Sequence, residues 1–92
     1  MLSIQHEANR VYALDKDERV IAEATFPAVS DTVVEFNHTF VDPSLRGQGA
    51  AGMLLEAAAA DVRARGLKAR PTCSYAVKWF SEHGEYADLL EK

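Results

Sequence analysis

The chain has 92 residues, of which 48% are hydrophobic and 26% are charged, and its formal net charge is −4. This length and balance support one modest hydrophobic core, so we expect a single domain over residues 1–92. The negative net charge and the dispersal of the ten Lys and Arg residues along the chain argue against a nucleic-acid partner, because phosphate binding needs a basic face.

The first half of the chain predicts β-strands. Arg10–Leu14 and Arg19–Phe26 are rich in β-branched residues and flank an acidic turn at 15–18, which predicts an antiparallel hairpin. A third run, Thr32–Val41, alternates in the manner of a strand and is expected to be central. Its alternation places one set of side chains on a common face: Val34, Phe36, His38 and Phe40.

A turn and a long helix follow these strands. Pro43 breaks the third strand, because proline fixes its own backbone and disfavours a helical residue before it. From Ala50 to Arg65 the chain is rich in Ala, Leu, Met and Glu with apolar residues at helical spacing, which predicts a helix. Gly66 is expected to end this helix in a left-handed conformation.

The last third of the chain predicts one strand and one more helix. Leu67–Cys73 reads as a short strand, and the order strand, helix, strand predicts a crossover that makes the two strands parallel. Pro71 cannot donate a ladder hydrogen bond, so we expect a gap between this strand and its neighbour. A second helix from Ser74 to His83 and an amphipathic turn at Tyr86–Leu90 complete the chain.

The segment Arg46-Gly47-Gln48-Gly49-Ala50-Ala51 has the pattern Arg/Gln-x-x-Gly-x-Gly/Ala at the start of the long helix. A helix N-terminus carries unpaired N–H groups and a partial positive charge, so it accepts a pyrophosphate where small residues allow close approach. The alternative is that the glycines only shape a tight turn. The segment lacks the Gly-Lys-Ser/Thr of a Walker loop and the full Gly-x-Gly-x-x-Gly fingerprint.

Several side chains are candidates for chemistry. Cys73 precedes the second helix, whose dipole favours a thiolate nucleophile, although a free cysteine usually packs as a small hydrophobe. His38 is either a core histidine or a general base. Tyr75 and Tyr86 are candidates for protonating a leaving thiolate, and packing is the alternative for both. The pattern of acidic and histidine residues predicts no metal site.

The cysteine content and the apolar segments of the chain indicate the compartment in which the protein is expected. Cys73 is the only cysteine, which excludes an intrachain disulfide and favours a reducing compartment. The N-terminal residues lack the basic and apolar regions of a secretion signal, and no apolar run reaches the length of a membrane span. We therefore expect a cytoplasmic protein that has no membrane partner. We also expect a monomer, because docking of the predicted helices leaves no apolar surface stripe.

Blocks of sequence along nearly the whole chain resemble the short GNAT-like N-acetyltransferases, sometimes called the Yjd-type N-acetyltransferase domain. The blocks that carry the resemblance are Asn37-His38-Thr39-Phe40-Val41-Asp42-Pro43, Leu45-Arg46-Gly47-Gln48-Gly49, Gly66-Leu67-Lys68, Pro71-Thr72-Cys73 and Glu85-Tyr86-Ala87-Asp88-Leu89-Leu90. The resemblance implies a minimal α+β GNAT fold with a mixed sheet, two main helices and splayed central strands that receive the pantetheine arm of coenzyme A. Ser74 and Gly84 stand where members often have proline, and Phe40 stands where many have glutamate.

The resemblance also implies a cofactor and a site. Acetyl-CoA or coenzyme A is the expected cofactor, and its binding residues are expected to be Val41, Arg46, Gly47, Gln48, Gly49, Ala50, Ala51, Cys73 and Tyr75. The expected catalytic residues are Cys73, His38 and Tyr75. The leading hypothesis is an N-acetyltransferase that transfers acetyl from the CoA thioester to an amine of unknown identity. The alternative is a CoA-binding module without turnover.

Overall fold

The computed structural model describes residues 3–45 and 47–91, which form two β-sheets packed against α-helices. Within this part of the chain the strands are β1 (Ile4–Glu7), β2 (Arg10–Leu14), β3 (Val20–Thr25), β4 (Val33–Phe36), β5 (His38–Val41) and β6 (Lys68–Pro71). The helices are α1 (Ala50–Ala64) and α2 (Ser74–Glu82), with 3-10 helices at Pro43–Leu45 and Gly84–Leu89. The predicted α+β class with two main helices is confirmed.

The larger sheet is antiparallel and has four strands in the order β1-β2-β3-β5. The β2–β3 pair confirms the predicted hairpin and forms the middle of this sheet, whereas β5, from the run expected to be central, lies at its edge. Strand β1 was not predicted, because its sequence Ile-Gln-His-Glu lacks a clear alternation of apolar and polar residues. Tertiary pairing makes it a strand, since it runs along β2 from Ile4 opposite Ala13 to Glu7 opposite Arg10.

The predicted single strand Thr32–Val41 is wrong in one respect, because the structure divides it at Asn37 into β4 and β5. These two strands belong to different sheets: β4 pairs with β6, and β5 pairs with β3. The expected common face is lost at the break. Phe36 is buried, whereas His38 and Phe40 are exposed. Periodicity cannot detect this break, since each half alone still has the composition of a strand.

The smaller sheet is the parallel pair β4–β6, which confirms the predicted crossover through α1. Its register runs from Val33 opposite Lys68 to Phe36 opposite Pro71, and the ladder ends there. This end agrees with the expectation for Pro71, which has no N–H to continue a ladder. Beyond this point β5 pairs with β3, and no ladder among the described residues joins it to the chain after β6, as expected for splayed central strands.

The core lies between α1, α2 and one face of each sheet. Short side chains on both sides let α1 approach the larger sheet closely, with Ala58 and Ala59 on the helix and Ala22 and Ala24 on β3 fully buried. Aromatic rings fill the space under the parallel pair. They are Phe26 stacked on Phe36 at 5.1 Å between centroids, Phe36 edge-on to Phe80 at 5.4 Å, and Phe80 edge-on to Trp79 at 5.1 Å.

The end of α1 agrees with the prediction, since Gly66 has a φ of 70°. The C-terminal segment returns to the parallel pair, where Glu91 N–H donates to the carbonyl of Ala69 at 3.0 Å. The guanidinium of Arg70 holds the same segment through both carboxylate oxygens of Glu91, at 2.7 Å each. Neither helix of residues 3–45 and 47–91 has the length and apolar character needed to cross a membrane.

Candidate functional site

The turn that leads into α1 contains two glycines in the left-handed region. Gly47 has a φ of 81° and Gly49 a φ of 71°, values that side chains disfavour. The two glycines therefore shape the tight turn, which was the alternative to a binding role. A β-carbon built at either glycine would meet no atom within 4 Å, so the space above the turn is open as well. Both properties suit a ligand that approaches the backbone.

Helix α1 begins without an internal cap. Gly49 occupies the N-cap position and has no side chain, and no side chain from the described residues caps the helix there. The nearest carboxylate, Asp42, instead accepts the Ser44 N–H at 2.8 Å. This hydrogen bond lowers the pKa of Asp42 and keeps its negative charge in the preceding turn. No hydrogen bond from another described residue reaches the first N–H groups of α1, and a helix end of this kind favours an anion.

An open groove of about 270 Å³ lies at this helix end. It is lined by Val41, Asp42, Pro43, Leu45, Gly47, Gly49, Ala50, Ala51, Gly52 and Tyr75. The structure therefore brings together six of the predicted cofactor-binding residues, namely Val41, Gly47, Gly49, Ala50, Ala51 and Tyr75. Gln48 does not line the groove, and its side-chain amide points to the carbonyl of Ser44 at 3.5 Å. Arg46 lies outside the described residues.

The cleft is the space between β5 and the chain that precedes α2, beyond the end of the β4–β6 ladder. At its closed end, the carbonyl of Phe36 accepts both the Thr72 N–H at 3.0 Å and the Cys73 N–H at 3.1 Å. Farther along, the Thr39 hydroxyl and the Cys73 sulfur meet at 3.5 Å. The contacts between the two segments therefore change from paired backbone to a side-chain contact along β5 toward Val41, which lines the groove.

Cys73 has a structural role that the sequence did not predict. Its sulfur accepts the Ala76 N–H at 3.4 Å and caps α2, while the Thr39 hydroxyl contacts the same sulfur. The side chain is half-buried and packs against the core. This placement is compatible with packing and with reactivity.

His38 lies apart from Cys73. The register of β5 places Thr39 toward Cys73, so His38, the preceding residue, belongs to the opposite face of the sheet. Its side chain is 55% exposed, and its Nε2 is 3.7 Å from a carboxylate oxygen of Glu23. The interpretation of His38 as a core histidine is wrong, because β5 leaves this face of the sheet uncovered.

The two candidate tyrosines have different surroundings. Tyr75 is 54% exposed and lines the groove. Tyr86 is half-buried, with its ring 5.4 Å from the ring of Trp79 and 4.7 Å from the guanidinium carbon of Arg63. Packing, the alternative to a catalytic role, therefore accounts for Tyr86. The sequence did not identify Thr39, which contacts the Cys73 sulfur, or Gly52, which lines the groove, as site residues. The only signal for Gly52 was that it adds a glycine to the first turn of α1.

Comparison with known proteins identifies relatives of the chain. The model of a family described as GCN5-related N-acetyl-transferase matches residues 10–89. No curated protein matches the chain by sequence. A GCN5-like candidate N-acetyltransferase from Staphylococcus aureus, solved by NMR, is 30% identical with a TM-score of 0.81, and the match covers 98% of this chain and 88% of that one.

More distant solved structures share the fold. A Mycobacterium tuberculosis protein in complex with CoA is 18% identical with a TM-score of 0.66, and the match covers 83% of this chain and 47% of that one. A candidate acetyl transferase from Pyrococcus furiosus is 24% identical with a TM-score of 0.64, and the match covers 87% and 60% of the two chains. This chain therefore spans roughly half of the length of these larger relatives.

Proposed function

The chain belongs to the GCN5-related N-acetyltransferase family, and from that premise we propose that it binds acetyl-CoA and transfers the acetyl group to an amine. The observation that carries the proposal is the start of α1, which no described side chain caps and which lines one groove together with Val41 and Tyr75. This arrangement offers a binding position for an anion and, next to it, a position for a flexible arm attached to that anion. The pyrophosphate would bind at the helix end, and the pantetheine arm would lie between β5 and the start of α2.

The binding residues fit the proposed cofactor. The N–H groups of Ala50 and Ala51 would donate to pyrophosphate oxygens, since no neighbouring side chain from the described residues occupies them. Hydrogen bonds to charged acceptors contribute about 1.5–3 kcal/mol each, so three or four give micromolar affinity after the costs of association. Val41 and Tyr75 would line the entrance to the cleft.

The chemistry of transfer requires one proton to leave the amine and one to reach the departing sulfur. Bound acetyl-CoA supplies a thioester whose carbonyl carbon bonds to the amine nitrogen as the carbon–sulfur bond breaks. His38, or water ordered by it, would accept the amine proton for an acceptor that approaches from the uncovered face of the sheet. Tyr75 would donate a proton to the sulfur from the groove side.

A covalent route through Cys73 is the variant of this mechanism. The Cys73 thiolate would bond to the thioester carbonyl carbon as CoA leaves as a thiolate, which Tyr75 would protonate. The amine would then displace the Cys73 thiolate from the acetyl group, and its proton would go to His38 or to water. Cys73→Ala separates the two routes. Turnover that is unchanged in this variant, with a confirmed acceptor, removes the acyl-cysteine route and leaves direct attack.

A CoA-binding module without turnover is the second candidate, and one observation favours it. Among the described residues, only Thr39 and Ala76 form hydrogen bonds with the Cys73 sulfur, while the nearest histidine of the central strands faces the other way. Incubation with acetyl-CoA and a panel of amines, with detection of released thiol, distinguishes the candidates. Release above the hydrolytic background supports the enzyme, and binding without release supports the module.

Thermal unfolding with CoA, acetyl-CoA and desulfo-CoA tests the binding itself. A ligand at one hundred times its Kd stabilises the native state by about 2.7 kcal/mol, which raises the Tm of a chain this small by about 10 °C or more. All three ligands are expected to act alike if the nucleotide part dominates binding. No shift with any of them at millimolar concentration contradicts the proposal.

A further inference from the structure

The face of the larger sheet that points away from α1 carries a row of side chains across three strands. Helix α1 packs on the opposite face, where Ala22 and Ala24 are buried. The register of the ladders places Tyr12 of β2 opposite Glu23 of β3, and Glu23 opposite Phe40 of β5. Directly opposed side chains of antiparallel strands share a face, with their β-carbons about 4.5–5.5 Å apart. One carboxylate therefore lies between two aromatic residues.

One side of this carboxylate already binds a cation that belongs to the chain. The Arg10 guanidinium donates from Nε to one oxygen of Glu23 at 2.5 Å, and its central carbon lies 3.9 Å from the centre of the Tyr12 ring. The carboxylate and the ring bind the same positive charge, the first by an ion pair and the second by a cation–π contact. A carboxylate beside an aromatic ring is therefore a cation site on this face.

The other side of the carboxylate lies toward Phe40. The second oxygen of Glu23 is 3.7 Å from Nε2 of His38, which is longer than a hydrogen bond, and no hydrogen bond within residues 3–45 and 47–91 reaches this oxygen. The Glu23 side chain is only 22% exposed, so its neighbours shield the charge from water, and an ion pair is stronger where water is partly excluded. The exposed Phe40 and this oxygen are therefore available to a cation from outside.

The charges of this face also favour a cation as the occupant. Glu7 lies opposite Arg10 in the β1–β2 ladder, and its carboxylate is 3.5 Å from the same guanidinium. Two carboxylates, those of Glu7 and Glu23, therefore share one guanidinium, which leaves an excess of negative charge. A positive group that binds beside Phe40 balances this excess, and the ring suits an alkylammonium group.

The position of the row relative to the cleft indicates which part of an acceptor it would bind. An ammonium paired with a carboxylate keeps its proton, because the ion pair favours the charged form, and a protonated nitrogen cannot attack a thioester. The group bound at Glu23 is therefore not the amine that reacts. Strand β5 is the edge of the larger sheet and borders the cleft, so an alkyl chain that begins beside Phe40 crosses only one strand, about 5 Å, to reach the cleft.

We infer that Glu23 and Phe40 bind a second ammonium group of the acceptor, so that the acceptor is a linear diamine or polyamine. The carboxylate pairs with this ammonium, the Phe40 ring covers it, and the neutral amine at the other end of the chain attacks the thioester as described above. This inference rests on the proposed function, because it assumes transfer of acetyl to an amine. It adds a specificity-determining contact on a face that the cofactor groove does not include.

NMR titration of the ¹⁵N-labelled protein with cadaverine, a linear diamine, tests this contact without turnover. The amide signals of Glu23 and Phe40 are expected to shift with millimolar affinity, in the free protein and in the presence of CoA. Pentanediol has the same chain length and no charge, so this matched ligand should leave both signals in place. Pentylamine should shift them, since one ammonium is enough for the contact.

Two substitutions with opposite expected effects test the ion pair. Glu23→Gln should weaken cadaverine binding about tenfold, because the ammonium loses its charged acceptor. Arg10→Gln should strengthen cadaverine binding several-fold, because Glu23 is no longer shared with the guanidinium. The matched controls repeat each change of charge at an exposed position elsewhere and should leave the affinity unchanged: Glu56→Gln on α1 and Arg19→Gln before β3. Circular dichroism shows whether each variant is folded.

Turnover distinguishes the amine that reacts from the ammonium that is bound. Glu23→Gln should raise the KM for cadaverine about tenfold and change kcat little, because the contact is the same in the ground state and the transition state. Pentylamine should compete with cadaverine as an inhibitor, because its only nitrogen binds at Glu23. Acetylation of pentylamine as fast as that of cadaverine would contradict the requirement for a second ammonium.

The outcomes separate the two proposals. If cadaverine leaves the signals of Glu23 and Phe40 in place, or if folded Glu23→Gln binds it as tightly as the wild type, the ammonium subsite is wrong and the proposed function stands. Tighter binding of a lysine-containing peptide than of cadaverine at these residues would overturn the assignment to a small diamine. If the wild type binds no CoA, the proposed function fails, and the acceptor role of this face fails with it.

Discussion

The two ends of the cleft between the sheets are built in opposite ways. At the closed end, β4 and β6 pair residue by residue above stacked aromatic rings, and Phe36 is almost fully buried. At the open end, Val41 and Tyr75 line a groove, and the first turn of α1 has no internal cap. We therefore expect stability to depend mainly on the closed end and the proposed CoA binding on the open end, so substitutions should separate the two properties.

The largest expected effect is on stability at the closed end. Phe36→Ala removes a buried ring that contacts Phe26 and Phe80, and it should lower the free energy of unfolding by about 3–5 kcal/mol. Denaturant unfolding followed by circular dichroism measures this loss. Phe40→Ala is the matched control, because that ring is 39% exposed on β5. Similar losses in both variants would contradict the assignment of the core.

The next effect is on binding at the open end. Gly49→Asp places a carboxylate beside the free N–H groups of α1, where it opposes a bound pyrophosphate. Aspartate tolerates the left-handed backbone better than most residues, and a β-carbon at this position meets no other atom, so the free protein should keep its fold. CoA affinity should fall about 100-fold, since unit charges about 4 Å apart near a protein surface interact by several kcal/mol.

Gly49→Asn is the control for side-chain shape, because asparagine has nearly the same size as aspartate but carries no charge. It should lose much less affinity than Gly49→Asp in a calorimetric titration with CoA. Equal losses in the two variants would show that backbone conformation, rather than charge at the helix end, determines binding.

A smaller effect is expected at the point where the two ends meet. Cys73→Ala removes the sulfur that caps α2, and loss of a cap costs about 1 kcal/mol. Cys73→Ser keeps an acceptor at the same position and should retain most of the stability. Thermal unfolding of both variants measures the difference. If Cys73→Ala is as stable as the wild type, the sulfur contributes nothing as a cap.

The smallest effect is a pH dependence at the C-terminal segment. The Arg70 guanidinium lowers the pKa of Glu91 below its usual value of 4.5. A lowered pKa in the folded state gives stability that is present above pH 4.5 and is lost as the pH falls through the folded pKa. Glu91→Gln should therefore lower the Tm slightly at neutral pH, and this difference from the wild type should shrink as the solution is acidified below the folded pKa. A difference that stays constant with pH would show that the ion pair is not its cause.

Much of this architecture could be predicted from the sequence, because strong local signals agree with the fold. The hairpin, α1 and the left-handed Gly66 follow from composition, periodicity and caps. The break at Asn37 does not, since it depends on which neighbours the two halves of one β-like segment pair with. The exposure of His38 follows from the same break, so it could not be predicted from the sequence either.

The candidate site was predictable where it is local in sequence. The glycine turn and the first residues of α1 lie together in the chain, and the structure joins them to Val41 and Tyr75 in one groove. The contact between the Thr39 hydroxyl and the Cys73 sulfur joins residues that are distant in the sequence. No pattern of residue types reports such contacts, and the Yjd-type subgroup, the catalytic roles and the monomeric state stay predictions.

The central claim is that the free N–H groups at the start of α1 bind the pyrophosphate of CoA. Titration of the ¹⁵N-labelled protein with CoA, followed by NMR, tests it residue by residue. The account predicts that the amide signals of Gly49, Ala50 and Ala51 shift most, because a hydrogen bond to a phosphate changes the environment of each N–H directly. Saturation with millimolar CoA that leaves these three signals in place would contradict it.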